Sequence, residues 1–496
     1  MAHHQIQVAA LLLAACGSGD RASVPPLQIL PMPPTVTHVE SAIGTEAQAT
    51  PDKPLPEAIA RIQRDALHSS HAFEFVRSLT DDSGPRLTGS DGDKRAVAWA
   101  LRTMKSLGLA NVRTEKVMAP HWVRGVELAD IVAPVAHQLK VTALGRSVAT
   151  PAAGVTAEVI EVDSLEELKK LDHKLARGKI IFANMATKRT KDGHGYGEAV
   201  GMRWVWPSIA AKAGARALVL RSCGTDHDRL PHTGATSTEK PQIPAGALSV
   251  PDAEMLHRLL AERKVVTMHL TLTPKTLPDV ETANVMGEIR GSEKPDEVVL
   301  IGAHLDSWDL GTGAIDDGAG VGIALETVRL IGLGAPPRRS VRVVLFGNEE
   351  SGGAGGKAYA RNIGAAGADR HVAAIEADLG GDRAFELQHL AGPEASAKLV
   401  PLAAYLLPLG VAMSQQAAGG GADLGPLRAL GVPMIDVGQD GTHYFDIHHT
   451  ANDTIDKIDA SAIAQASAAF ATVVYTIANL EGDLGRVPDA KRKSRW

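Results

Sequence analysis

Apolar residues recur at helical spacing from about Leu55, at Ile59, Ile62, Ala66, Phe73, Phe75 and Val76, and predict a helical opening to the folded part of the chain. The pattern stops in a run of turn formers, Asp81-Asp82-Ser83-Gly84-Pro85-Arg86-Leu87-Thr88-Gly89-Ser90. Helical spacing returns over 94–107, and 112–117 reads as a strand. From about Trp122 to Leu277 the character changes: short apolar pieces at 155–162, 179–184 and 215–221 are separated by Gly, Pro and polar turns, which predicts an inserted β-rich domain. After Thr282, strand patterns at 297–303, 340–346, 372–377 and 432–437 alternate with helical ones at 319–331, 395–409 and 460–480. That alternation predicts an α/β fold with a mixed, largely parallel central sheet flanked by helices.

The domain reading follows. Residues 57–121 and 278–482 form the two parts of one domain, with 122–277 inserted between them and 483–496 as a short basic tail. Ahead of these, 1–16 reads as a signal peptide and 17–56, rich in Pro and Thr, as a flexible tether. The apolar stretch 8–15 ends in Leu13-Ala14-Ala15-Cys16, which resembles a bacterial lipobox, although residues 1–7 contain no Lys or Arg. Acylation at Cys16 would anchor the chain in a bacterial envelope, and ordinary cleavage nearby would release it; both export it. Of 496 residues, 44% are hydrophobic and 22% charged, enough to bury a large core. A net charge of -6 and the lack of a basic stripe interleaved with aromatics argue against nucleic acid as a partner. No apolar run reaches the roughly 18 to 20 residues of a spanning helix. The second cysteine, Cys223, reads as a packing thiol, and no disulfide is expected in the mature chain.

Candidate chemistry gathers just after the strands. Ala303-His304-Leu305-Asp306-Ser307, Ala314-Ile315-Asp316-Asp317-Gly318, Gly347-Asn348-Glu349-Glu350-Ser351 and Glu376-Ala377-Asp378-Leu379-Gly380 each place acids or a histidine there, and His448-His449-Thr450-Ala451-Asn452-Asp453-Thr454 follows later. Singly, these are a strand-end histidine, a helix cap or a solvated acidic turn. Jointly they form the mixed imidazole and carboxylate set that suits zinc. His304, Asp316, Glu350, Asp378 and His449 are too many for one catalytic ion, and fit two metals sharing a carboxylate. Glu349 and Glu350 can divide the labour, one holding metal and the other facing a water. Asp306 is spaced to accept the second ring proton of His304.

This ordered set resembles the M28 co-catalytic zinc peptidases, and Gly84-Pro85-Arg86-Leu87-Thr88-Gly89-Ser90 resembles their N-terminal motif. Within 122–277, Gln242-Ile243-Pro244-Ala245 and Val250-Pro251-Asp252-Ala253-Glu254-Met255 are most similar to the carboxypeptidase Q branch, which carries a protease-associated insertion. The resemblance implies two zinc ions per chain, with Asp316 bridging them, His304 and Asp378 completing one, Glu350 and His449 the other, and Glu349 as general base. Spacing to Asp453 favours His449 over His448 as ligand. It implies a non-proline cis peptide at Asp316-Asp317. Tyr444 or His443 is either an oxyanion donor or a packing residue. The implied substrates are short peptides, dipeptides foremost. The alternatives are an aminopeptidase on longer peptides, a one-zinc acyltransferase resembling glutaminyl cyclases, and a non-catalytic binding protein of the same fold. The inserted domain is a lid or an oligomerisation element, and a homodimer is expected by analogy alone.

Overall fold

The computed structural model describes residues 54–493; the signal peptide with Cys16, most of the 17–56 tether and the last three residues lie outside them. The strands are β1 (Ala110–Val123), β2 (Glu127–Ala133), β3 (His137–Leu139), β4 (Val141–Ala143), β5 (Val155–Val162), β6 (Ile180–Ala183), β7 (Ala217–Arg221), β8 (Ala245–Leu248), β9 (Thr267–Leu272), β10 (Lys275–Ile289), β11 (Lys294–His304), β12 (Arg339–Phe346), β13 (His371–Glu376), β14 (Ala384–Leu390), β15 (Ala412–Met413) and β16 (Met434–Gln439). They form two eight-stranded sheets.

The first sheet runs β1-β10-β12-β11-β13-β16-β14-β15. Its centre is parallel, because β11 pairs in parallel with β12 and β13, and β13 with β16. Its flanks turn antiparallel, at β10 with β1 and β12, and at β14 with β16. The sheet is therefore mixed, as expected. Val298 to His304 and all of β13 are buried, the continuous apolar run of strands covered on both faces. Val299, Ile301 and Ala303 pack with the helices Glu57–Ser69, Ala72–Ser83, Asp91–Ser106, Ala319–Gly332 and Ala460–Ala478. Leu300 faces the opposite core with Val344, Phe346 and Tyr359, so the period-two alternation of a strand divides the two layers.

The opening helical stretch is two helices. Ser70 is extended at ψ 138°, its hydroxyl accepts from the Ala72 amide, and the second helix runs on through Asp81-Asp82-Ser83 until Gly84, at φ 62°, ends it. The helix Ala354–Arg370 was absent from the sequence pattern: it holds Gly355, Gly356, Gly364 and Gly367, and breaks its helical angles at Gly364. Contrary to the expectation that no apolar run is long enough, Ala460–Ala478 has the length and apolarity to cross a membrane, but 78% of its apolar window is buried in the core.

The second sheet, β3-β2-β9-β5-β6-β7-β8-β4, is built wholly between β1 and β10, which pair with each other along most of their length. The chain thus leaves and re-enters the first sheet through one antiparallel ribbon. This region is less purely β than its pattern suggested. β5 to β8 are parallel, with Leu165–Lys170 and Trp206–Lys212 among the helices between them and Val250–Ala261 following β8. Helices of six or seven residues, such as the first two of these, complete too few turns to leave a period in the sequence.

Candidate metal centre

In an open α/β sheet the crevice beyond the strand C-termini binds ligands, and the predicted residues meet there. His304 is the last residue of β11, Glu349 and Glu350 follow β12, and Asp378 follows β13. Asp316 and Asp317 lie in the turn at 314–318, and their connecting peptide is cis, as expected. Asp317 fastens this turn to the sheet: its carboxylate accepts from the His304 amide at 2.9 Å and the Gly320 amide at 3.0 Å. Asp453 accepts from the amides of Ile315 at 2.6 Å and Asp316 at 3.2 Å. With its backbone held from both sides, Asp316 is left with its carboxylate aimed at the histidines.

After β12 the chain turns at Asn348, in the left-handed region at φ 68°. Its amide group donates to Ser351 Oγ at 2.9 Å and Thr88 Oγ1 at 3.1 Å, bonds that offset the conformational cost of this residue and direct Glu349 and Glu350 inward. His449 is also left-handed, at φ 63°.

The two oxygens of Asp316 face different partners. His304 Nε2 lies 3.0 Å from Oδ1, and His449 Nε2 lies 3.1 Å from Oδ2. Asp378 is 3.5 Å from His304 Nε2, while Glu350 is 3.0 Å from His449 Nε2. All five expected ligand residues are thus brought together. His448 stacks on His449 with ring centroids 3.5 Å apart, and its Nε2 stands 3.5 Å from Asp316, farther than that of His449. Tyr444 is buried against His448, whereas exposed His443 turns away to Asp446 and Arg189. Cys223 is a buried thiol, raised by that burial to about 11.

One expectation is corrected. The ring Nδ1 of His304 meets the backbone carbonyl of Asp306 at 3.0 Å, and the Asp306 carboxylate stands 3.8 Å away. That carboxylate is engaged elsewhere, accepting from the Glu349 amide at 2.9 Å and Thr88 Oγ1 at 3.2 Å. Asp306 therefore orients His304 through its main chain and Glu349 through its side chain.

Residues outside the expected ligand set also build the site. Fully buried Arg86 donates to the carbonyls of Leu305, Thr312 and Gly313 at 2.6, 2.6 and 2.8 Å, tying the 84–90 motif to the loop between His304 and Asp316. Its presence in that motif was the available signal. Glu376 and Asp423 are buried beside the centre with Oε2 and Oδ2 unpaired. Nothing in local sequence marks Asp423, which enters from the loop before the helix Gly425–Ala429.

The electrostatics ask for cations. Burial, and then neighbouring acids, push Glu349, Glu350 and Glu376 well up, and Asp423 to about 7. Burial acts the same way on Asp316, but the hydrogen bonds from His304 and His449 outweigh it and hold that carboxyl well down. Burial lowers His449 to about 4 against the pull of Asp316. Donor atoms of His304, Asp316 and Glu350, of Asp316, His448 and His449, and of His304, Asp317 and Asp378 lie within 4.8 Å of one another. Glu350 Oε1 is buried without a partner. An excess of buried acids with open oxygens, faced by imidazole nitrogens, is a donor set that fits divalent metal.

Fold and site together define a metal-dependent hydrolase built on an open α/β sheet. A family model described as peptidase family M28 matches residues 284–474. Over 433 residues the chain is 35% identical to carboxypeptidase Q of Mus musculus, covering 87% of this chain and 90% of that one. The chain belongs to peptidase family M28 and is a metallopeptidase. The crystal structure of a peptidase M28 precursor from Shewanella amazonensis SB2B is similar at a TM-score of 0.85 and 42% identity, covering 87% of this chain and 98% of that one. A zinc aminopeptidase from Bacillus subtilis shares the fold, at a TM-score of 0.62 and 21% identity over 84% of this chain and 98% of its own.

Proposed function

We propose that this chain is an exported exopeptidase that uses two zinc ions to hydrolyse short peptides, dipeptides foremost. The observation that carries the reading is Asp316, whose two oxygens each face a separate histidine and carboxylate pair. His304 and Asp378 would hold one ion, His449 and Glu350 the other, with Asp316 shared. Bound there, zinc polarises a peptide carbonyl and makes water a stronger acid near neutral pH.

Glu349 is the general base of this reading. Its amide is fixed to Asp306, and its carboxylate is free to take the proton of the attacking water and return it to the leaving amine. Tyr444, buried beside the centre, lines the oxyanion side. Residues 122–277 act as a protease-associated-like domain over the site, and the carboxypeptidase Q relatives support the choice of a carboxyl-terminal exopeptidase over an aminopeptidase.

The test is hydrolysis of free, N-blocked and C-amidated dipeptides by metal-analysed protein beside Glu349→Gln. Two zinc ions per chain, cleavage of free dipeptides alone and loss of turnover in Glu349→Gln with zinc retained are expected. Cleavage of C-amidated but not N-blocked peptides would establish an aminopeptidase instead.

A further inference from the structure

The metal centre lies beyond the C-terminal ends of the parallel strands, and a second concavity opens where β11 and β13 begin. Its volume of about 690 Å³ falls within the roughly 300–1,000 Å³ of small-molecule sites, and it shares no residue with the metal centre. Four arginines line it: Arg113 from β1, Arg290 just after β10, Arg342 from β12 and Arg370 at the end of the helix Ala354–Arg370. Only two acids, Glu288 and Asp296, stand against them.

The floor of the concavity is closed. Glu288 accepts from Arg342 at 2.9 Å and from the Asn111 side-chain amide at 3.1 Å, so these two charges neutralise each other. The rim is open. Arg290 and Arg370 are exposed and form neither an ion pair nor a side-chain hydrogen bond among the described residues. Arg113 donates to the nearby Asn111 carbonyl at 3.0 Å and stands 3.8 Å from Glu288. With the floor pair set aside, three guanidinium groups from three separate elements share the rim with the single carboxylate of Asp296. Like charges gathered round a hollow repel one another, and an anion in the hollow relieves them. Each guanidinium presents a planar fork of N–H donors and no acceptor. A carboxylate has two coplanar oxygens and is matched by one fork. A phosphate monoester carries three oxygens pointing in different directions and a charge of about −1.5 to −2, and so suits forks arriving from several sides. Asp296, the one acceptor on that rim, suits hydroxyl groups on the organic part of such a molecule.

We propose that this concavity binds a small phosphate ester through Arg113, Arg290 and Arg370, at a site separate from the peptidase centre. Zinc-loaded protein is titrated calorimetrically at low ionic strength, where surface charge is least screened, with glucose 6-phosphate, glucose and succinate. One glucose 6-phosphate per chain is expected, bound at least about tenfold more tightly than succinate, with no binding of glucose. Arg290→Met and Arg370→Met should each weaken that binding on the order of tenfold or more, the worth of a lost charge-assisted contact. Both side chains are exposed and unpaired, so their removal leaves the fold intact. Arg361→Met removes an equally exposed arginine of the same helix that lies outside the concavity, and should leave binding nearly unchanged. Binding that survives both Arg290→Met and Arg370→Met belongs elsewhere, the zinc centre included. A loss of equal size in Arg361→Met reports diffuse surface charge, and succinate bound as tightly as the ester removes phosphate as the ligand class. Each of these results, like a failure of glucose 6-phosphate to bind at all, overturns the proposal.

Discussion

Where β13 begins, His371 donates from Nδ1 to the Gly367 carbonyl at 2.7 Å, and its Nε2 accepts from the Tyr359 hydroxyl at 2.8 Å. That hydroxyl accepts from Arg342 at 2.8 Å, and Arg342 in turn donates to Glu288 at 2.9 Å. At the opposite end of the same strands, Glu350 Oε1, Glu376 Oε2, Asp423 Oδ2 and His448 Nδ1 are buried with nothing to bond. Both clusters are polar and both are buried, but the first matches donors to acceptors and the second is left with surplus acid. A buried cluster that serves only the fold closes its own hydrogen bonds, because each open group costs about 1 to 3 kcal/mol. A cluster that leaves them open carries that cost for a ligand that completes it.

The comparison can be broken most severely at the open end. Asp316→Asn should weaken metal binding by more than the roughly 10–100-fold typical of an outer partner, because it touches both halves of the centre; a chelator competition that finds unchanged affinity would remove Asp316 from the ligand set. Glu349→Gln should lower kcat by about 10²–10⁴-fold with metal content preserved, the span of a lost general base, and a loss of metal alongside turnover would make Glu349 a ligand instead.

Arg86 is a closed device inside the open site. Arg86→Met leaves three carbonyls without their donor and should cost roughly 3 kcal/mol or more of stability in denaturant unfolding. If the cost is small, those carbonyls find water and the 305–313 loop is not held by Arg86.

The closed cluster is sharpened by pH. Burial lowers His371 to about 4, against about 6.5 when unfolded, so its neutral form is the native one. As pH falls through 6.5 the unfolded chain binds this proton first. Stability is therefore full above that value and declines toward pH 4, by up to roughly 3 kcal/mol from this residue. His371→Gln should lose that component of the slope, read as the difference between variant and parent from pH 7 to 4. Parallel curves would mean that His371 takes up its proton equally readily in the folded and unfolded chain, and that burial does not hold it neutral. The smallest effect is expected at Thr88, which links Asn348 to Asp306. Thr88→Val should cost about 1–2 kcal/mol in stability and lower turnover only a few-fold. A collapse of activity without loss of stability would show that this link sets the position of Glu349 and not merely its support.

Much of the first sheet was legible because its strands are covered on both faces and read as unbroken apolar runs, as from Val298 to Ala303. Of the candidate ligands, His304, Glu350 and Asp378 were legible because each sits within a few residues of a strand end, where a histidine or an acid beside an apolar run is conspicuous, whereas Asp316 and His449 lie in loops and were legible only through the motifs around them. Helix Ala354–Arg370 was not, since its glycines suppress the helical signal that packing then overrides. Asp306 was read as a partner of the His304 ring on spacing alone, and spacing cannot separate a carboxylate from the carbonyl of the same residue.

By itself, then, the sequence determined the alternation of strands and helices, the order of acids and histidines along it, and the family to which that order points, because periodicity and spacing are local properties of a chain. Only the tertiary structure decided that Asp316 divides its two oxygens between His304 and His449, that Arg86 and Asp453 hold the turns around it, and that Arg203 arrives from the second sheet beside His449. Residues 246 positions apart, as Arg203 and His449 are, meet through the packing of whole elements, and no local pattern carries that distance.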